Sequence, residues 1–171
     1  QYLEDCAAEA GFNTDFVFVE DIGFSECGVF TDKKDHHIEW MFKLYPWEFM
    51  HEETYGNFIA SSGVSWIEPH WKCILSNKAL LPMLWKLFPE HPNLLPAYFE
   101  DDAGKHALSS YVRKPIYSRE GANISVHKGE QIVEQIDGPY GEEGYIVQAF
   151  HQLPKFGDSY TLIGSWLVND K

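Results

Sequence analysis

Apolar residues recur along this chain with two different periods, and the change of period organises it. Residues 16–19 (FVFV) form an apolar run of strand length, followed by the turn formers Asp21, Gly23 and Ser25. From Thr31 the spacing becomes helical. Thr31 or Asp32 can cap a helix in which Ile38, Met41, Phe42 and Tyr45 recur every three or four positions. Pro46 interrupts it, and residues 47–58 predict a second helical piece. Residues 66–69 read as an extended connector. Ser76 or Asn77 then caps a helix over 78–88 with Leu80, Leu81, Leu84, Trp85 and Phe88 on or near one face. Pro82 is tolerated near its first turn, and Pro89 and Pro92 stop it.

After that helix the period shortens to two. Residues 93–99 predict a strand and 100–110 a polar loop. Residues 111–117 are extended, because Pro115 biases Lys114 away from helical backbone. A tight polar loop over 118–123 carries Gly121. Strands follow at 124–127, 130–136, 145–150 and 160–168, separated by glycine- and proline-bearing turns. The sum is an α+β fold, a mostly antiparallel sheet with helices packed on it. No internal repeat or low-complexity tract interrupts it.

Composition narrows the function classes. The chain has 171 residues, 44% hydrophobic, with 13 basic and 26 acidic side chains for a net charge of −13. That length suffices for one domain with a sizeable core. The acidity argues against general binding to nucleic acid or to an anionic membrane, both of which require a cationic face. No apolar run approaches the roughly 18 residues of a spanning helix, and no secretory signal opens the sequence. Three widely spaced cysteines make neither a disulfide framework nor a zinc pattern, so a reducing, cytoplasmic setting is expected. The charge is uneven. Residues 1–66 carry 13 acids against Lys33, Lys34 and Lys43, whereas residues 67–171 carry 13 acids against 10 bases. Anion-binding chemistry is therefore expected in the second part.

Two features there could provide it. The segment 111–126, YVRKPIYSREGANISV, places Arg113, Lys114 and Arg119 within seven residues. A loop that grips polyphosphate needs backbone N–H groups able to approach closely, which Gly121 allows, and flanking cations. An ordinary basic hairpin would show the same spacing. The segment is neither a P-loop nor a dinucleotide fingerprint. The second feature is Lys78, placed in the first turn of the predicted helix, where a cation opposes the macrodipole at a cost of roughly 0.3–1 kcal/mol. A bound anion would remove that conflict, and a solvated lysine is the alternative.

Other constellations carry less. His36-His37, His51 beside Glu52-Glu53, and Glu68-Pro-His70 mix metal-ligand types, but without HExxH or a paired Cys–His spacing, so surface and packing roles account for them. A metal-dependent hydrolase built on the histidines is the reading they would otherwise support. No GxSxG surrounds a serine, and Ser165 sits in a strand-like run. Cys73 lies in an apolar setting (KCIL) unsuited to a nucleophile.

Taken together, WIEPHWKCILSNKALLPMLWKLFPEHPNLLPAYF, YVRKPIYSREGANISV, YIVQAFHQLPKFGDSY and LIGSWLVND closely resemble the glutathionylspermidine synthase family, and within it the bacterial single-domain acid–amine ligases. The resemblance runs from DFVFVEDIG onward. It implies an ATP-grasp fold, of which this chain would be a partial domain, with residues 1–66 in the central ligase region and 67–171 in the nucleotide-binding region. It implies an ATP-dependent ligase in which a carboxylate becomes an acylphosphate and an amine then displaces phosphate. ATP and Mg2+ would be the cofactors, and a glutathione-like peptide and a polyamine the model substrates.

By resemblance, Lys78 in SNK and Lys114 in RKP match the family's two ATP-binding lysines. The loop SREGAN would cover the phosphates, with Gly121 at the close approach and Arg119 as an added cation. Gln148 would mark the base pocket, although the family often has a second Gln where this chain has Ala149. The family's magnesium-binding acids and charge-stabilising arginine belong upstream of Gln1, and a further arginine motif follows the position of Lys171. The stretch is therefore expected to contain no catalytic or metal-binding residue of its own and to be inactive alone. The alternative is a non-catalytic nucleotide-binding or interaction module that keeps the fold.

Overall fold

The computed structural model describes residues 2–164, whose contacts gather into two units, Gln1–Cys73 and Ile74–Lys171. In the first, helix α1 (Tyr2–Glu9) buries no residue. Strand β1 (Gly23–Phe24) pairs antiparallel with β2 (Phe30–Thr31). Strand β3 (Trp40–Phe42) and β4 (Ser65–Ile67) pair in parallel, and the connection between them contains α2 (Trp47–Glu52) and a 3-10 turn, Gly56–Ser61. Phe30, Trp47, Met50, Tyr55 and Ile59 form the buried core. Phe30 meets Phe24, Tyr55 and Trp66 edge-on, with ring centroids 5.2, 5.3 and 5.8 Å away.

Two expectations fail in this unit. Residues 16–18 precede a 3-10 turn and pair with no strand among the described residues; Phe16 and Phe18 lie half exposed, their rings perpendicular in a T-shaped contact. An apolar run becomes a strand only where a partner supplies the ladder. The helix expected from Thr31 is also absent. The Asp32 carboxylate accepts the backbone N–H groups of Lys34 (2.7 Å) and His36 (2.8 Å), closing a turn that returns Ile38 N–H to the Phe30 carbonyl. The aspartate thus reverses the chain instead of capping a helix. The predicted helical piece over 47–58 shortens to α2. A side chain at Gly56 would strike the His51 backbone, so the chain folds back on itself there.

The second unit begins with α3 (Leu80–Leu87), two residues later than the spacing predicts. Asn77 Oδ1 accepts the Ala79 N–H at 2.8 Å, and Lys78 lies in that entry turn instead of in the helix. Next come β5 (Ala97–Phe99), a 3-10 turn (Ala103–Ala107), β6 (Ser110–Pro115), β7 (Ser125–Lys128), β8 (Gln131–Gln135) and β9 (Tyr145–Ala149). These five strands make one antiparallel sheet in the order β5-β9-β6-β7-β8. On its β5–β9 side Ala97, Ile146 and Val147 are buried. Gly129, at φ 59°, takes the first loop position of the two-residue β7–β8 turn.

The strand expected over 93–99 keeps only its last three residues, after Pro96. A final hairpin, β10 (Lys155–Phe156) with β11 (Ser159–Tyr160), takes the start of the strand expected over 160–168. Residues 161–164 are irregular, and 165–168, with Ser165, lie outside the described residues.

Candidate functional site

Strand alternation separates the basic residues of β6. In the β6–β9 register Val112 faces Gln148 and Lys114 faces Ile146, so Lys114 and Gln148 share one face of the sheet, with Arg113 on the other. On the first face Lys114 Nζ donates to Gln148 Oε1 at 2.8 Å. The ammonium is half-buried, and burial alone lowers its pKa; its hydrogen-bond partner is a neutral amide. A half-desolvated cation held by an uncharged group is electrostatically suited to an anion.

The residues after β6 gather the other candidates. Lys78 N–H donates to Ile116 O at 2.9 Å, and Lys78 Nζ donates to Ser118 O (3.0 Å) and Oγ (2.8 Å). Arg119 Nη1 donates to Ser118 O at 3.2 Å. The loop then turns tightly through three left-handed residues, Glu120 (φ 53°), Gly121 (φ 80°) and Asn123 (φ 55°). Asn123 pins it, donating to Gly138 O and accepting the Tyr140 N–H. A side chain at Gly121 would meet only Ile136, in ordinary van der Waals contact at 3.6 Å. Lys78, Lys114, Arg119, Gly121 and Gln148 are thus tied to one stretch, 114–121, and to the strand beside it.

Arg113 is the correction. Sequence proximity made it a third cation for the same anion, yet its Nε and Nη2 donate to Glu100 Oε1 (2.5 Å) and Oε2 (3.0 Å), and its guanidinium stacks 3.3 Å from the Tyr145 ring. It lines a cavity of about 250 Å³ with Ser125, His127 and Tyr145, on the face opposite Lys114. Hydrogen bonding to Arg113 holds the Glu100 carboxyl below the usual carboxylate range. A depressed folded pKa contributes stability above about pH 4.5, the unperturbed value, which is lost as pH falls through the folded value. Glu100→Gln is expected to cost about 1 kcal/mol at neutral pH, because both partners are about one-third exposed. It should also flatten the acid limb of stability, as read by urea denaturation at pH 7 and pH 4. An unchanged acid limb would remove this assignment.

Sequence reading missed Ser118, a buried serine that receives Lys78, and Glu100, which engages Arg113. Only the strand period hinted at the second, since neighbours on a strand face opposite ways. Among the described residues no three His, Cys, Asp or Glu side chains gather to hold a metal ion. No disulfide links Cys6, Cys27 and Cys73, and no described helix is long and apolar enough to cross a membrane.

The family model described as glutathionylspermidine synthase preATP-grasp matches residues 1–171. The chain is 43% identical to the "Putative acid--amine ligase" of Haemophilus influenzae, over 99% of this chain and 45% of that protein. It is 36% identical to trypanothione synthetase of Crithidia fasciculata over 63% of this chain and 16% of that protein. With the bifunctional glutathionylspermidine synthetase/amidase of Escherichia coli, identity is 27% over 98% of this chain and 31% of that protein. The chain spans less than half the length of each of these relatives.

Proposed function

The chain belongs to the glutathionylspermidine synthase family, and from that premise we propose that the complete protein containing it is an ATP-dependent carboxylate–amine ligase. Its relatives are ligases and synthetases, and its antiparallel sheet with packed helices is an α+β, ATP-grasp-like partial domain. In this reading ATP supplies the phosphoryl group that turns a carboxylate into an acylphosphate, from which an amine displaces phosphate to leave an amide. The observation that carries the proposal is the half-buried Lys114 ammonium held by a neutral amide.

Lys114 and Lys78 hold the polyphosphate from two directions, one from strand β6 and one from the entry turn of α3. The loop 118–123 closes over the phosphates, Arg119 adds a cation, and Gly121 allows backbone N–H groups to come close. Gln148 orients the Lys114 ammonium beside the base pocket. The names of the relatives favour a glutathione-like carboxylate and a polyamine as substrates. Lys78, Lys114, Arg119 and Gly121 suit the phosphates of ATP, and the resemblance to the family assigns the Mg2+ ligands to the rest of the complete protein. Three cysteines, odd in number and widely spaced in the sequence, favour a reducing, cytoplasmic setting in this reading.

Lys78→Ala in the complete protein is expected to weaken ATP binding about 10- to 100-fold, the magnitude of a lost charged hydrogen bond. The 171-residue stretch should bind ATP calorimetrically and show no amide formation, since positioned cations dominate phosphoryl transfer. Unchanged ATP affinity in Lys78→Ala would sink the lysine's assignment. ATP binding without ligation by the complete protein would favour the non-catalytic module.

A further inference from the structure

In the first unit, a surface outside the proposed nucleotide site brings two histidines together. His51 lies on α2, and His70 opens the 3-10 turn His70–Ser76, 19 residues later in the sequence. Their Nε2 atoms stand 2.6 Å apart, with ring centroids at 4.7 Å, and both residues are exposed. The buried ring of Trp47 buttresses both, stacked 6.3 Å from His51 and edge-on 4.9 Å from His70. We infer that His51 and His70 form a chelating site for one first-row divalent transition ion, of the class Cu2+, Ni2+ or Zn2+.

Several observations support that class. Imidazole nitrogens select these ions, whereas Mg2+ takes oxygen ligands, so this site differs from the magnesium chemistry proposed for the ligase. An ion about 2.1 Å from each nitrogen needs them roughly 3.0–3.4 Å apart. The pair must therefore open by only about 0.4–0.8 Å, a movement that exposed rings tolerate. The unit as a whole carries 14 acids against 4 bases, a field that favours cations. Lys43 opposes it locally, its ammonium 4.3 Å from the Trp47 ring and 3.6 Å from Glu68.

The competing arrangement is a simple N–H···N hydrogen bond with no metal affinity. Calorimetric titration of the 171-residue chain with NiCl2 and with CuCl2 separates the two. The expected result is one equivalent bound at micromolar affinity, with quenching of tryptophan fluorescence through Trp47. His51→Gln and His70→Gln should each weaken that binding at least tenfold, and the double variant should lose it. His91→Gln, in the second unit, should leave it unchanged. Electron paramagnetic resonance of the Cu2+ adduct tests the wild-type chain directly, so misfolded variants cannot obscure the answer. Coupling to two imidazole nitrogens is expected. No stoichiometric binding, coupling to one nitrogen, or full affinity in either single variant would overturn the site.

Discussion

Replacing Lys114 with alanine in the complete protein is expected to lower ATP-dependent amide formation by about 10²–10³-fold while leaving the fold intact, the range for removing one preorganised charge-stabilising donor. The reason lies in where the lysine is held. Its ammonium is half-buried against the Gln148 amide and meets no carboxylate among the described residues, so its positive charge is not cancelled by them before an anion arrives. Removing it also removes a desolvated cation from the sheet, and stability should therefore fall little or rise slightly. Steady-state kinetics with varied ATP, together with a urea melt, provide the check. Arg113→Ala is the contrasting variant. Its guanidinium is already paired with Glu100 on the other face, so it should cost stability more than ATP affinity. Equal losses of ATP affinity in the two variants would remove the distinction between the faces.

The largest stability effect is expected at Phe30. Its side chain is fully buried, and three aromatic rings close on it within 6 Å. Phe30→Ala should destabilise the first unit by about 3–5 kcal/mol, because the edge-on neighbours cannot all collapse into the space left behind. Whole domains are commonly stable by only about 5–15 kcal/mol, so this unit should melt first. Near-ultraviolet circular dichroism during urea denaturation would follow it, since Trp47 and Trp66 belong to the same cluster. Phe30→Leu should recover more than half of the loss by refilling volume. Equal costs for the two variants would show that packing around Phe30 is not what holds the unit.

The contrast between the two units explains how much could be read in advance. Strands β6, β7 and β8 lie close to where alternation, Pro115 and glycine turns put them, because hairpin neighbours are local in sequence and a turn fixes their register. Strand β9 pairs with the distant β5 and β6, and only its apolar run after Gly144 marked its place. In the first unit, residues 16–19 and 31–45 depart from the strand and helix that their spacing predicts. Its one parallel pair joins Trp40–Phe42 to Ser65–Ile67 across more than twenty residues, and no local period reports so distant a partner. Helical spacing at Ile38, Met41, Phe42 and Tyr45 also misled, since Phe42 is exposed and only Ile38 and Tyr45 among them pack on the core.

Sequence alone determined the chemistry available: a net charge of −13 that excludes polyanion surfaces at large, a basic stretch around Lys114, a glycine in the following loop, and motifs that mark the family. Tertiary structure decided how those groups are shared out. The β6–β9 register turned Lys114 toward Gln148 and Arg113 toward Glu100, splitting two adjacent cations between opposite faces. Folding also carried Lys78 to Ser118, 40 residues away, and His51 to His70. Charge and motif are properties of residues and survive in a linear reading. Pairing, burial and the cancellation of one charge by another depend on distance, which only the folded chain sets.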